Sequence, residues 1–147
     1  MKIGICSDHR GFYMKKILVE YLEHEGYEVF DYGTNSTDSV DFPIYAFELG
    51  NNIVKKKIDK GIAICGTGIG MSIALNKIKG VYCAKVNTIN ETVLSRQHNN
   101  ANVMAISADL DDELAKEMAD KFIETKFLED DKYKRRNKMI KDMEKND

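Results

Sequence analysis

The chain has 147 residues, with 22 Lys and Arg against 24 Asp and Glu and a formal net charge of −2, a balance that argues against nucleic acid as a general partner. No apolar run reaches membrane-spanning length, and Met1-Lys2-Ile3 leads directly into a strand-like run, so neither a membrane partner nor a signal peptide is expected. The three cysteines, Cys6, Cys65 and Cys83, are scattered without a C-x-x-C pair, which argues against a disulfide framework or zinc site and for a reducing, cytoplasmic setting.

Lys2 to Ser7 reads as a first strand, and Asp8-His9-Arg10-Gly11 turns it into a helix whose stripe is Met14, Ile17, Leu18, Tyr21 and Leu22. Gly26 ends that helix and Glu28 to Tyr32 forms a second strand. The polar segment from Gly33 to Asp41 is long for a connection in an α/β unit, and such loops often shape sites. After Pro43 comes a helix with Ala46, Leu49 and Ile53 inward, then a short apolar run, Gly61 to Cys65, suited to a strand buried on both faces. Val81 to Val86 and Val103 to Ile106 supply further strands, separated by a helix through Val93 and Leu94 that ends in His98-Asn99-Asn100. Leu114, Ala115, Met118, Ala119, Phe122 and Ile123 face inward on a long helix. The alternation predicts a single domain over residues 1–147, a doubly wound, five-stranded parallel sheet with helices on both faces. The tail, 130–147, is densely charged, yet Met139, Ile140 and Met143 recur at helical spacing. It reads either as a solvated, frayed helix or as one docking a thin apolar stripe on a neighbouring subunit.

The chemistry concentrates between Gly61 and Gly80. After the strand ending at Cys65 come Gly66, Gly68 and Gly70, then a helical pattern through Met71, Ile73, Ala74, Leu75 and Ile78 that ends near Gly80. Strand, glycine turn and helix aim free backbone N–H groups at an anion. The segment lacks the Gly-Lys-Ser/Thr of a P-loop, and Met71 stands where the dinucleotide fingerprint requires its third glycine. A cysteine beside such amides is favoured as thiolate, a usable base or nucleophile; the structural alternative is a buried cysteine beside a tight turn. Cys6 and Cys83 lie inside strand-like runs and read as small hydrophobes. In a doubly wound sheet the ligand lies beyond the carboxyl ends of the strands, where both Asp8-His9 and Cys65-Gly66 fall.

SDHRG at 7–11, CGTGIGMSIALNK at 65–77, QHNNANV at 97–103 and the pair Arg135-Arg136 resemble the type B ribose-5-phosphate isomerase family, which also holds galactose- and allose-6-phosphate isomerases. The resemblance runs in register over essentially the whole chain. It implies an aldose–ketose isomerisation of ribose 5-phosphate to ribulose 5-phosphate through an enediolate, with a small sugar phosphate as partner and no metal or organic cofactor. By resemblance Cys65 is the base at C2, Thr67 relays a proton at the sugar oxygens, and the amides of Gly66, Gly68, Ile69 and Gly70 hold the enediolate oxygen. His98 opens the sugar ring, Asn99 contacts the sugar, Asp8 binds hydroxyls or assists opening, and His9 with Lys132 and Arg136 holds the phosphate. The resemblance also implies a homodimer, or a dimer of dimers, whose sites combine the Cys65 loop of one chain with His98, Asn99 and the basic tail of another. For His24, on the outward side of its helix, no such role is expected.

The chain departs from the family at Tyr82 and Asp109, where relatives commonly carry arginine, and at Lys132-Tyr133, where they carry Arg-His. Lysine neutralises a phosphate as a point charge but lacks arginine's fork, and a carboxylate at 109 would repel one. Two alternatives therefore stay open beside ribose 5-phosphate: an isomerase of a six-carbon sugar phosphate or another aldose, and a sugar-phosphate-binding protein without catalysis.

Overall fold

In the computed structural model, which describes residues 1–145, strands and helices alternate as the sequence pattern predicts. Strand β1 (Lys2–Ser7) passes through a 3-10 turn (His9–Gly11) into α1 (Phe12–His24), followed by β2 (Glu28–Asp31) and α2 (Phe42–Val54). Then come β3 (Lys60–Cys65), α3 (Ile69–Leu75), β4 (Cys83–Lys85), α4 (Ile89–Asn99), β5 (Val103–Ser107), α5 (Asp112–Glu124) and α6 (Asp131–Glu144). Helix starts are fixed by side chains that accept otherwise unpaired N–H groups. Asp8 caps the turn before α1, Thr88 Oγ1 accepts from Glu91 N–H at 3.0 Å, and Asp111 caps α5.

All five strands are parallel, in the order β2-β1-β3-β5-β4. The chain first moves outward from β1 to β2, then crosses to build the other half from β3. The order therefore reverses between β1 and β3, the switch point beside which such sheets bind ligands. Each face of the sheet carries its own core. Ile3, Ile5, Ile62, Ile64, Met104 and Ile106 pack against Met14 and Leu18 of α1 and Met118 and Phe122 of α5. Cys6, Ala63, Val103 and Ala105 pack on the other side against Ala46 and Leu49 of α2 and Met71 and Leu75 of α3. Period-2 alternation distributes one apolar run to both cores, as expected for strands covered twice.

Several boundaries differ from the sequence expectation. The strand expected over Val81 to Val86 contracts to Cys83–Lys85, because Val81 N–H turns back to Ile78 O and Tyr82 N–H donates to Asn102 Oδ1. The helix expected to end near Gly80 stops at Leu75, where the Asn76 side chain leaves to exchange two hydrogen bonds with the Cys83 backbone (2.8 and 2.9 Å). The stripe of α1 includes one residue that periodicity does not flag: Lys15, 1% exposed, whose Nζ donates to both Asp31 carboxylate oxygens at 2.6 and 2.7 Å. In α4 the buried residues are Thr92, Ser95 and Arg96, while Val93 and Leu94 are half-buried. Arg96 survives burial because its guanidinium donates to Thr125 O, Asn100 Oδ1 and Ala101 O. The tail forms α6; the last two residues of the segment expected over 130–147 lie outside the described residues. No helix of the described residues is long and apolar enough to cross a membrane.

Candidate active site

The carboxyl ends of β1, β3 and β5 meet on one rim. Cys65 closes β3 at this rim and is 5% exposed. Gly68 N–H donates to Cys65 Sγ at 3.2 Å, an arrangement that requires the backbone of Gly68 to fold back at φ +81°. Only glycine fits there, since a Cβ would stand 3.0 Å from the backbone carbon of Ile106. Ile69 N–H is taken by Thr67 Oγ1 at 3.1 Å. The N–H groups of Gly66, Thr67 and Gly70 have no acceptor among the described residues. Of the loop amides singled out from sequence, Gly68 and Ile69 therefore organise the turn, and Gly66 and Gly70 are left as unused donors among the described residues. Ser107 Oγ donates to Gly66 O at 2.7 Å and Ala108 N–H to Cys65 O at 2.9 Å, clamping the turn to β5.

Beside the loop, Asp8 is 7% exposed, and its Oδ1 accepts from Arg10 N–H at 2.9 Å and Gly11 N–H at 3.2 Å. One carboxylate oxygen is thus occupied by the cap, and the other has no partner among the described residues. His9 Nδ1 accepts from Val40 N–H at 3.2 Å, which assigns the ring proton to Nε2 and ties the Gly33–Asp41 loop to the rim. The other end of that loop is hydrogen-bonded to Ser7 through Ser7 N–H to Gly33 O (2.7 Å) and Thr34 N–H to Ser7 O (2.9 Å). Asp109, exposed, follows β5 on the same rim.

The remaining sequence-predicted residues lie at the opposite end of the sheet. Helix α4 begins past the carboxyl end of β4 and returns to the amino end of β5, carrying His98 and Asn99 away from Cys65 by the length of a strand, roughly 15 Å. There His98 stacks on Tyr133 (ring centroids 4.5 Å apart, planes at 16°), and Asn137 Nδ2 donates to His98 O at 2.8 Å. Lys132 and Arg136 share a face of α6 and are both exposed. Glu144 accepts from Gly80 N–H at 3.2 Å and Tyr82 OH at 3.0 Å, so Tyr82, one of the departures noted above, anchors the end of α6. A cavity of about 940 Å³ lies at this end, lined by Lys60, Tyr82, Asn99, Asn102, Asn137 and Lys138 among others, and Cys65 is not part of its lining. The site residues expected from the sequence therefore fall into two groups at opposite ends of the sheet of one chain.

The family model for ribose/galactose isomerase matches residues 3–140. The chain belongs to the ribose/galactose isomerase family. It is accordingly an isomerase. Ribose-5-phosphate isomerase B of Escherichia coli strain K12 is 39% identical over 127 residues, covering 86% of this chain and 85% of that protein. Among solved structures of family members, the Clostridium thermocellum ribose-5-phosphate isomerase B superposes with a TM-score of 0.96 at 36% identity, covering 99% of both chains. The Mycoplasma genitalium ribose-5-phosphate isomerase B, solved with bound ribulose-5-phosphate, gives 0.95 at 38% identity, covering 99% of this chain and 97% of that one.

Sequence reasoning missed two participants of the Cys65 rim. Val40 contributes only a backbone N–H, which no side-chain pattern reveals. Arg10, inside the SDHRG motif, places its guanidinium carbon 3.2 Å from where a Cβ of Gly66 would stand. Its position next to His9 was a signal, but only the three-dimensional approach of the turn to the loop gives it meaning.

Proposed function

We propose that this isomerase interconverts ribose 5-phosphate and ribulose 5-phosphate through an enediolate, with Cys65 as the base. The observation that carries the reading is the Cys65 turn: a thiol at the switch point, held by Gly68 N–H, with the unused amides of Gly66, Thr67 and Gly70 around it. The ribulose-5-phosphate in the Mycoplasma genitalium relative supports the choice of sugar. Once the furanose is open, the Cys65 thiolate takes the proton from C2. The C–H electron pair becomes the C1=C2 bond, and the carbonyl pair moves onto O1, where the free amides meet it. One such preorganised donor contributes about 3 kcal/mol to lowering the barrier. Thr67 shuttles the proton between O2 and O1, and the proton on Cys65 returns to C1 to give the ketose.

Ring opening falls to His98, with Asn99 on the sugar and Asp8 on its hydroxyls, because Tyr133 stands where relatives carry histidine. His9, Lys132 and Arg136 hold the phosphate. Since the two groups of residues lie at opposite ends of one sheet, the site is completed by a second copy of the chain in a homodimer, the exposed stripe of α6 (Met139, Ile140, Met143) supplying contact area. The free cysteines agree with a cytoplasmic setting.

Turnover of ribose 5-phosphate, galactose 6-phosphate and allose 6-phosphate by the wild type tests the substrate, and Cys65→Ala tests the base. Cys65→Ala is expected to lose exchange of the C2 proton with solvent while still binding ribose 5-phosphate. Near-normal turnover by that variant would refute the assignment, and preferred turnover of a six-carbon sugar phosphate would correct the substrate.

A further inference from the structure

Arg10 is the guanidinium of the Cys65 rim. Its carbon, Nη1 and Nε lie 3.2, 3.3 and 3.5 Å from the position a Cβ would take on Gly66, so the planar cation rests on the first peptide of the loop, in space that any side chain at 66 would contest. The side chain is exposed, and among the described residues it makes no ion pair and no hydrogen bond. Its own backbone N–H is fixed by Asp8 Oδ1 at 2.9 Å, so the start of the side chain is rigidly placed. Lys15, also near this end, is buried and neutralised by Asp31, and Lys85, at the carboxyl end of β4, donates to Asn87 Oδ1 at 2.6 Å. The cations of α6 stand at the far end of the same sheet.

We propose that Arg10 is a further substrate-binding residue, taking the phosphate of the sugar phosphate from the Cys65 side of the site. The inference rests on the sugar-phosphate reading above and adds a residue to it. Two anionic centres compete for such a group, the phosphate and the enediolate oxygen, and exposure decides between them. The Cys65 side chain, where C1 and C2 react, is buried, whereas Arg10 is exposed at the mouth, where the part of the substrate farthest from C1 and C2 remains. A guanidinium also matches a phosphate with two parallel N–H···O bonds, a geometry no lysine reproduces. The rim's carboxylates, Asp8 and Asp109, give such a phosphate no attraction, whereas Arg10 lies against the Cys65 loop itself, with His9 next to it in the chain.

Steady-state kinetics and calorimetric binding of the full chain test this with Arg10→Ala and Arg10→Lys, using ribose 5-phosphate, ribose and inorganic phosphate. Arg10→Ala is expected to raise KM for ribose 5-phosphate about tenfold or more with kcat within about twofold, and to weaken inorganic phosphate as a competitor in parallel. Ribose binding stays unchanged, and Arg10→Lys recovers part of the loss. A fall in kcat at constant KM would overturn the proposal in favour of the enediolate oxygen. Unchanged KM and unchanged phosphate inhibition would reduce Arg10 to a surface residue. If the wild type turned over no aldose phosphate, the isomerase substrate would be wrong, yet calorimetry with inorganic phosphate would still decide the role of Arg10.

Discussion

At the scale of single residues, surroundings separate groups that composition treats alike. Burial pushes the Cys6 thiol well above its ordinary value and takes Cys83 up to about 12, so both remain neutral thiols packed with the core. Cys65 is placed differently, closing β3 with its sulfur accepting the Gly68 N–H. Lys60 shows the same principle with opposite charge. Burial, with the Arg96 guanidinium nearby, lowers its ammonium from 10.5 to about 8, while Nζ donates to Ile123 O at 2.9 Å. Between those two pH values the unfolded chain binds more protons than the folded one, so raising the pH stabilises the fold. The penalty is present below about pH 8 and vanishes as the unfolded lysine loses its proton. Thermal unfolding of wild type and Lys60→Met across pH 7 to 10 should therefore show the wild type gaining on the variant as pH rises. The lost hydrogen bond to Ile123 shifts the two curves by a constant, and a pH-independent difference would contradict the burial of the charge.

At the scale of elements, the Gly33–Asp41 loop is held by a residue far from it in sequence. Lys15, reaching from the buried face of α1, grips both oxygens of Asp31, and Asp31 Oδ1 in turn accepts Gly33 N–H at 2.9 Å. That bond sets the base of the loop whose far end bonds His9. Lys15→Met keeps the packed stem and leaves the carboxylate unpaired; because Asp31 is 37% exposed, water recovers part of the loss. A cost of about 1–3 kcal/mol in urea unfolding is expected, with Asp31→Asn in the Lys15→Met background recovering part of it. An unchanged midpoint would show the pair to be dispensable. Helix α6 was legible in sequence as a charged tail with a thin apolar stripe, and the structure leaves that stripe uncovered on the chain itself: Met139, Ile140 and Met143 are 65, 47 and 69% exposed. The helix is engaged instead through Tyr133, Asn137 and Glu144.

At the scale of the whole molecule, the separation of Cys65 from His98 turns the proposed shared site into a measurable quantity. Cys65→Ala and His98→Ala are each expected to be inactive. Dissociated, mixed in equal amounts and reassembled, they form dimers of which about half are mixed, and each mixed dimer has one site with both lesions and one with neither. About a quarter of wild-type activity should return. Were Cys65 and His98 parts of one chain's site, no combination would restore an intact one, so no recovery after verified subunit exchange would remove the shared-site arrangement.

The sequence by itself determined the architecture and singled out the segments proposed to carry the chemistry. Apolar runs short enough for strands alternate with helical stripes, and the spacing of Cys65, Gly66, Gly68 and Gly70 allows few backbone paths other than a tight turn against a neighbouring strand. Those are local constraints, carried by sterics and by the period of apolar residues. Tertiary structure alone decided that β3 crosses to the far side of β1, so that Asp8 and Cys65 meet at the switch point. It also decided that Arg10 lies on Gly66, that Val40 holds His9, and that Lys15 is buried with Asp31. The separation of His98 from Cys65 has the same origin, because every helix of a parallel sheet must run back along the strands to begin the next one. Contacts between residues distant in the chain depend on which strands pair, and strand pairing is a property of the whole packed sheet that no window of sequence contains.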